Sequence, residues 1–376
     1  DDIYRIGVEA QFGNTAIRQT WTPAPLPAAM YEEFPEIRAI TRIGDWTQTV
    51  EIDERIFNES NAAMVDSSFT DIFTLQFVEG SPGKHLNEPG QVLLDSSTAE
   101  KYFGEVPAMG QTFLIRDTVP LTVTGVYEDI PPQAHFHFNM LISLVSAEGV
   151  HNSDNWGNNR FETYMRLQKG ALKEDLEAKF PDFLNRHMFN GEYFDYADEE
   201  NYWIYYLQHI REIHLGSDLN GEFEPNGNLA YVRIFSVVAL LLLVVACINF
   251  MNLTTARSQT RCKEIGMRKV VGAQRGNLIR QFYGESFLYT LFSLGMALGL
   301  VAVFLPTFNA VTQKTLSLAV LGSYPVLLSV AAITVFTALL AGSYPALRLS
   351  SFRTMNNLSS LGGRTRRSAF RKTLVV

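Results

Sequence analysis

The sequence predicts a multi-pass α-helical membrane protein that carries an N-terminal α+β domain outside the membrane. Charge is the first reason: residues 1–232 hold 15 basic and 37 acidic side chains, a net of −22, whereas residues 233–376 hold 16 and 2, a net of +14. An asymmetry of this size points to two compartments rather than one soluble surface. The second reason is a set of three long uncharged segments after Asn228. The third is the stretch from Ala256 to Ser286, where Arg257, Arg261, Lys263, Arg268, Lys269, Arg275 and Arg280 face only Glu264 and Glu285. A connection this basic between two spans belongs on the cytoplasmic side, and that places the acidic domain on the other.

Bulk composition narrows the classes further. A chain of 376 residues with 47% hydrophobic and 12% aromatic side chains is not disordered, and it is long enough for two domains. Cys247 and Cys262 both lie in the second part, so the acidic domain folds without disulfides. No metal-type Cys/His spacing is present. The chain opens at Asp1 without an initiator Met or a signal peptide, which predicts a transmembrane helix upstream. Its last residues, RKTLVV, predict the threshold of a further span.

From Tyr4 to about Arg55 the pattern reads strand, helix, strand: YRIGVEAQF alternates, PAAMYEEFPEI has helical spacing, and IRAITRI alternates again. Residues 67–130 form a second unit. Within it SSFTDIFTLQF reads as helix, a turn spans Gly80 to Gly83, and in QVLLDSSTAEKYFG a strand feeds a helix that starts near Ser96 and closes at Gly104. TFLIR and LTVTGVYEDI read as paired strands with Val119 and Pro120 in the turn. A third strand, helix, strand follows in FETYMRLQ, KEDLEAKFPDFLNRHM and YWIYYLQHI, and the acidic run Asp195, Asp198, Glu199, Glu200 reads as a solvated loop. The prediction for residues 1–228 is a split ferredoxin-like layer (1–60 and 140–216) with an inserted mixed α/β subdomain (67–138).

The predicted transmembrane domain covers 229–350, with spans at about 233–255, 286–306 and 326–347. Residues 256–285 form the cytoplasmic connection. Lys314 is the one charge between the last two spans, so that segment is a short external loop. Residues 351–376 hold basic side chains and no acidic one, which makes them a cytoplasmic linker.

Within the basic connection, EIGMRKVVGA places Gly266 and Gly272 on either side of a short amphipathic turn. Ile265, Val270 and Val271 offer an apolar surface and Arg268 and Lys269 a charged one. Such a piece lies along a membrane surface or docks into a groove on a partner. The run from Arg261 to Ala273, followed by Leu278, Ile279, Gln281, Phe282, Glu285 and Ser286, resembles the signature of the FtsX/MacB family of ABC-transporter permeases. ACINFMNLTTARS and AGSYPALRLSSFR match elsewhere. The acidic domain resembles a MacB-like periplasmic core domain of the large permeases of Bacteroidetes type, through QVLLDSSTAEKYFG, LTVTGVYEDIPP, His135 with Phe136, and REIHLGS. Gln133 and Ala134 depart from the Asn-Ser those permeases often carry before the His.

The resemblance implies a subunit of the bacterial inner membrane, residues 1–228 being periplasmic, that works with a separate homodimeric ABC ATPase. It implies a second permease module or chain, contact with membrane lipid and a possible periplasmic adaptor, with residues 351–376 leading toward the second module. Its coupling residues are Lys263, Glu264, Ile265, Gly266, Arg268, Lys269, Gly272 and Ala273. ATP and Mg belong to the partner, and no cofactor is expected on this chain. The implied function is export or extraction of a hydrophobic or amphipathic molecule by mechanical transmission. An FtsX-like regulator of cell-wall hydrolases and a membrane-anchored sensor are the alternatives.

No catalytic apparatus is expected. GSPGKHL lacks the spacing and hydroxyl of a P-loop, and no G-x-S-x-G or H-E-x-x-H occurs. His135 and His137 stand two apart, but with no third ligand in view they read as a strand edge. Asn249 and Asn252 lie three apart on one face of the first span, where polar side chains bond to a neighbouring helix. Tyr344 and Pro345, after Gly342, are expected to bend or end the third span. Glu264 reads as a pairing or recognition charge inside a basic cluster. No nucleic acid is expected among the partners.

Overall fold

The computed structural model describes residues 2–52, 55–81, 85–115, 119–131, 133–151, 153–188, 201–272, 274–312 and 316–350. The chain divides after Leu229 into an N-terminal domain and a helical unit. The acidic run at Asp195–Glu200, Lys314 and residues 351–376 lie outside the described residues.

The N-terminal domain is built on one mixed sheet. Its strands are β1 Ile3–Phe12, β2 Thr15–Gln19, β3 Trp21–Pro23, β4 Ile37–Asp45, β5 Gln48–Ile52, β6 Arg55–Glu59 and β7 Ala62–Val65. They continue as β8 Phe77–Glu79, β9 Gln91–Asp95, β10 Thr112–Ile115, β11 Val119–Tyr127, β12 Met140–Ser143, β13 Asn159–Leu167 and β14 Asn201–His209. The helices of this domain are α1 Leu26–Glu33, α2 Phe69–Ile72, α3 Ser96–Phe103, α4 Glu148–His151, α5 Lys173–Glu177, α6 Phe180–His187 and α7 Ile210–Gly216. Across the sheet the order is β14-β1-β13-β4-β7-β12-β9-β11-β10-β5-β6.

One half of the sheet, β14-β1-β13-β4, is antiparallel throughout. Helices α1 and α6 cover it, burying Leu26, Met30, Phe180, Phe183 and Leu184 against Ile6, Val8, Met165 and Leu207. The other half contains the parallel pair β9/β11, joined through α3, whose Tyr102 and Ala99 pack on Val92, Val123 and Ile142. Helix α3 follows from local chemistry: the Asp95 carboxylate caps it by accepting from the Thr98 amide at 2.8 Å, and Gly104 ends it at φ 63.

Several boundaries differ from the sequence expectation. The hairpin β5/β6 and strand β12 belong to the inserted half: Val50, Ile52, Met140 and Ile142 share one core with Leu94 and Phe113, so packing partners rather than chain position draw the division. Val119 and Pro120 lie in strand β11, where Val119 pairs with Ile115 and Pro120 with Leu114. The helix expected in SSFTDIFTLQF is a single turn, α2, followed by β8. KEDLEAKFPDFLNRHM breaks into α5 and α6 around Ala178–Lys179, because Pro181 fits only in a first helical turn.

The helical unit holds α8 Leu229–Val270, α9 Arg275–Thr312 and α10 Tyr324–Ser350, with a 3-10 turn at Leu318–Gly322. Each of the three helices is long and apolar enough to cross a membrane, over Leu229–Leu253, Arg275–Thr312 and Tyr324–Ser343. Helices α9 and α10 meet closely at Gly342: a Cβ there would stand 2.9 Å from Tyr283 and 3.0 Å from the Ser286 hydroxyl. Pro345 does not end the third helix, which continues to Ser350.

Candidate functional site

The basic stretch is not a loop. Helix α8 runs without a break through Lys263, Glu264, Ile265, Gly266, Arg268 and Lys269 to Val270, so Gly266 sits inside a helix rather than flanking one. A mid-helix Gly costs about 1 kcal/mol relative to Ala, which a helix of this length absorbs. Reversal comes at Gly272, whose φ of +100 is open to glycine and strained for other residues. Helix α9 starts three residues later at Arg275, while Ala273 lies outside the described residues.

Arg268 and Gln281 tie the two helices across this turn. The Arg268 guanidinium donates to the Gln281 side-chain oxygen at 2.9 Å, and the Gln281 amide donates to Glu285 at 3.1 Å. Met267, in the last turn of α8, and Val271, just past its end, stand 68% and 88% exposed, with the Val271 amide donating to the Met267 carbonyl. Val271 belongs to the apolar surface expected from the sequence and Met267 does not, although its spacing of four from Val271 could have marked it. The side chains of Lys263, Glu264, Ile265 and Lys269 lie outside the described residues. Basic side chains also suit the carbonyl end of a helix, so Arg268 complements the dipole of α8. Asn249 and Asn252 take exposed positions on α8, while Cys247 beside them is buried and Phe250 meets Tyr289 at 6.0 Å.

A second cluster, not marked by the sequence patterns above, lies inside the N-terminal domain. Arg5 of β1 is fully buried; its guanidinium donates to Glu222 at 2.5 and 2.8 Å, to Gln208 of β14 at 2.8 Å and to Ser217 at 3.0 Å. A second carboxylate, Glu162 of β13, stands 3.3 Å from the same guanidinium. Glu162 Oε2 is 2.6 Å from the Tyr164 hydroxyl, which is 2.9 Å from His135 Nε2. Burial pushes the Glu162 carboxyl up to about 7, with Arg5 and Tyr164 pulling back and Glu222 adding to the rise. Burial, with Arg5, His137 and His214 nearby, pushes His135 down to about 3, so its ring is neutral. His135 and His137 do not converge: His137 Nδ1 is 2.9 Å from Glu224 instead.

Glu222 and Glu224 belong to the strap, residues 217–228, that connects α7 to α8. The strap is bound along its length. Asn220 bridges Gln19 in parallel, with Thr20 N donating to its carbonyl at 3.0 Å and its own N donating to the Arg18 carbonyl at 2.9 Å. Leu219 is buried, and Phe223 meets Phe138 edge-on at 5.1 Å.

A mixed α/β domain followed by apolar helices of spanning length, with a basic helical turn between the first two, defines a membrane permease-like protein with a large extramembrane domain. Comparison with known proteins makes this specific. Residues 1–183 match the model of the MacB-like periplasmic core domain, and residues 236–353 match that of the FtsX-like permease C-terminal. The chain belongs to the FtsX/MacB family of ABC transporter permeases.

Similar curated proteins include the macrolide export ATP-binding/permease protein MacB of Neisseria meningitidis, 26% identical over 58% of this chain and 31% of that protein. MacB of Chromobacterium violaceum is 26% identical over 71% of this chain and 38% of its own length. The probable syringafactin export ATP-binding/permease protein SyfD of Pseudomonas syringae is 22% identical over 80% of this chain and 42% of its own. The chain thus spans less than half the length of these relatives. Among solved structures, a domain of a putative permease from Porphyromonas gingivalis aligns at TM-score 0.48 with 21% identity, covering 55% of this chain and 89% of that one. The periplasmic region of MacB from Actinobacillus actinomycetemcomitans aligns at TM-score 0.40 with 13% identity, covering 56% and 90%.

Proposed function

We propose that the chain is the permease part of an ABC transporter that exports or extracts a hydrophobic or amphipathic molecule, driven by an ATPase carried on a separate subunit. In this reading the N-terminal domain is periplasmic, the three apolar helices cross the inner membrane, and the α8–α9 turn meets the ATPase in the cytoplasm. The observation that carries it is that turn. An exposed apolar stripe, Met267 and Val271, sits beside Arg268 at the end of a spanning-length helix, which is the chemistry of a helix that docks in a groove. Lys263, Glu264, Ile265, Gly266, Lys269, Gly272 and Ala273 complete the proposed contact. The exporters MacB and SyfD among the similar proteins support the direction of transport.

The order β14-β1-β13-β4 with its helices on one face supports the split ferredoxin-like reading. Asn249 and Asn252, exposed on α8, are proposed to bond to a second module or chain, since polar side chains in a span seek a partner helix. A periplasmic adaptor would complete the export route.

The test is co-purification of the chain, in detergent, with the ABC ATPase of its own operon or genome. Arg268→Glu and Glu264→Lys are each expected to cut ATPase stimulation at least tenfold and weaken capture, with charge complementarity setting the loss. Retention of full stimulation and capture by both variants would remove the proposed contact.

A further inference from the structure

The cluster around Arg5 contains two carboxylates and one guanidinium, one acid more than charge balance needs. Glu222 binds both terminal nitrogens of Arg5, and Gln208 and Ser217 accept further bonds from Nη2. Glu162 stands farther off at 3.3 Å, fully buried. Two atoms of the pair lack a hydrogen-bond partner among the described residues, Glu162 Oε1 and Arg5 Nε, one an acceptor and the other a donor. Ionising both carboxylates would leave a net negative charge sealed in the sheet, which burial penalises.

The groups that face Glu162 define its alternatives. They are Arg5 from β1, Tyr164 from its own strand, Glu222 from the strap through its charge, and His135 through Tyr164, while Gln208 and Ser217 bond to Arg5. Trp21 of β3 and Ile43 of β4 flank it in register and offer no charge. With Glu162 protonated, its hydrogen goes to the Tyr164 oxygen, and the Tyr164 hydrogen goes to the neutral His135 ring, which is half-buried.

We propose that Arg5 is the fixed half of a counter-ion latch: the strap leaves the N-terminal domain as Glu162 ionises and replaces Glu222 on the guanidinium. Protons and charge balance. In the closed state Glu162 is a neutral acid and Arg5 pairs with the Glu222 carboxylate. On opening, Glu222 moves into water with its charge, one proton passes from Glu162 to solvent along Tyr164 and His135, and Arg5 pairs with the Glu162 carboxylate. Neither state holds an unpaired buried charge, so opening avoids the several kcal/mol that a stranded buried arginine costs.

The sign follows from linkage. The closed state holds the proton more tightly than the open one, because Glu222 repels a second negative charge. Closure is therefore favoured as pH falls, with the change confined to the window below about 7 and the latch insensitive above it. His137 on Glu224 is a second ionisable contact of the strap, and the test must separate the two.

The experiment is amide hydrogen exchange of strap peptides in the full chain, in detergent, with rates corrected for intrinsic exchange across a pH range of about 5.5 to 7.5. Strap opening in the wild-type chain is expected to rise by up to ~10-fold per pH unit. Glu162→Gln, an isostere of the protonated acid, is expected to hold the strap closed with no slope. Glu222→Gln is expected to open it throughout, and His137→Gln to keep the slope. A slope that survives Glu162→Gln, or a strap as protected in Glu222→Gln as in wild type, overturns the latch. Infrared detection of the Glu162 acid carbonyl near pH 6 gives an independent reading: the band is expected in wild type and lost in Glu222→Gln, and its persistence there overturns the exchange of partners. The use of this latch in transmitting motion rests on the permease reading. The measurement needs no ATPase, so failure to bind one leaves this test standing.

Discussion

In the N-terminal domain Ile6, Val8 and Leu207 are sealed from solvent, whereas in the helical unit Leu242, Phe292 and Val303 stand in the open at 65%, 70% and 70% exposure. What is buried differs as well. The fully buried side chains of the first include Arg5, Tyr102, Tyr127 and Tyr164, while the second buries Leu278 and Phe282 and otherwise the small side chains Cys247, Ser286, Thr334, Ala338 and Ala341. Water drives large apolar and aromatic groups together in one region. In a lipid environment there is no such drive between helices, so association rests on small side chains that let backbones approach. The contrast teaches that the two regions fold against different solvents, and each can be broken by a change that the other would tolerate.

The largest effect is expected at Arg5. Replacement by Ala leaves Glu162 in the sheet and Glu222 on the strap without their cation and should cost about 3–5 kcal/mol, read as a fall in the unfolding midpoint followed by tryptophan fluorescence. A substitution of similar cost leaves the contrast intact; a loss under ~1 kcal/mol would mean the cluster is open to water. Next comes a charge on the exposed apolar face. Leu300→Lys should disfavour membrane insertion of α9 by about 2.5–3.5 kcal/mol in a translocon assay, while Ile56→Lys at an exposed position of β6 should stay within ~0.5 kcal/mol in folding stability. Equal tolerance at both sites would place α9 in water. The smallest effect is at Gly342, where Leu must push Tyr283 and Ser286 apart. A cost of about 1–3 kcal/mol to the helical unit is expected, measured by loss of helicity on heating in detergent.

Legibility in the sequence followed the range of the interaction. Helix α3 was readable because its cap, Asp95, and its stop, Gly104, are local, and the β10/β11 pair because alternation survives in each strand. The three helices long and apolar enough to cross a membrane were readable from hydropathy alone. The place of β5/β6 at the far edge was hidden, since pairing with β10 depends on a partner some sixty residues away, which no local pattern encodes. Gly266 was misread as a break because propensity is weak against the cooperativity of a long helix. Glu222 and Glu162 stand 217 and 157 residues from Arg5, so their meeting could be read only from folded geometry.

Helix α8 has a consequence in simple dimensions. Its 42 residues make a rod of about 63 Å, and an apolar layer of about 30 Å covers only half of it. Some 17 residues past Leu253 extend the rod by roughly 25 Å with no hinge before Gly272. Such a rod amplifies angle into distance: a tilt of about 5° at Leu229 carries the Met267–Val271 tip sideways by roughly 5 Å, close to the pitch of one helical turn.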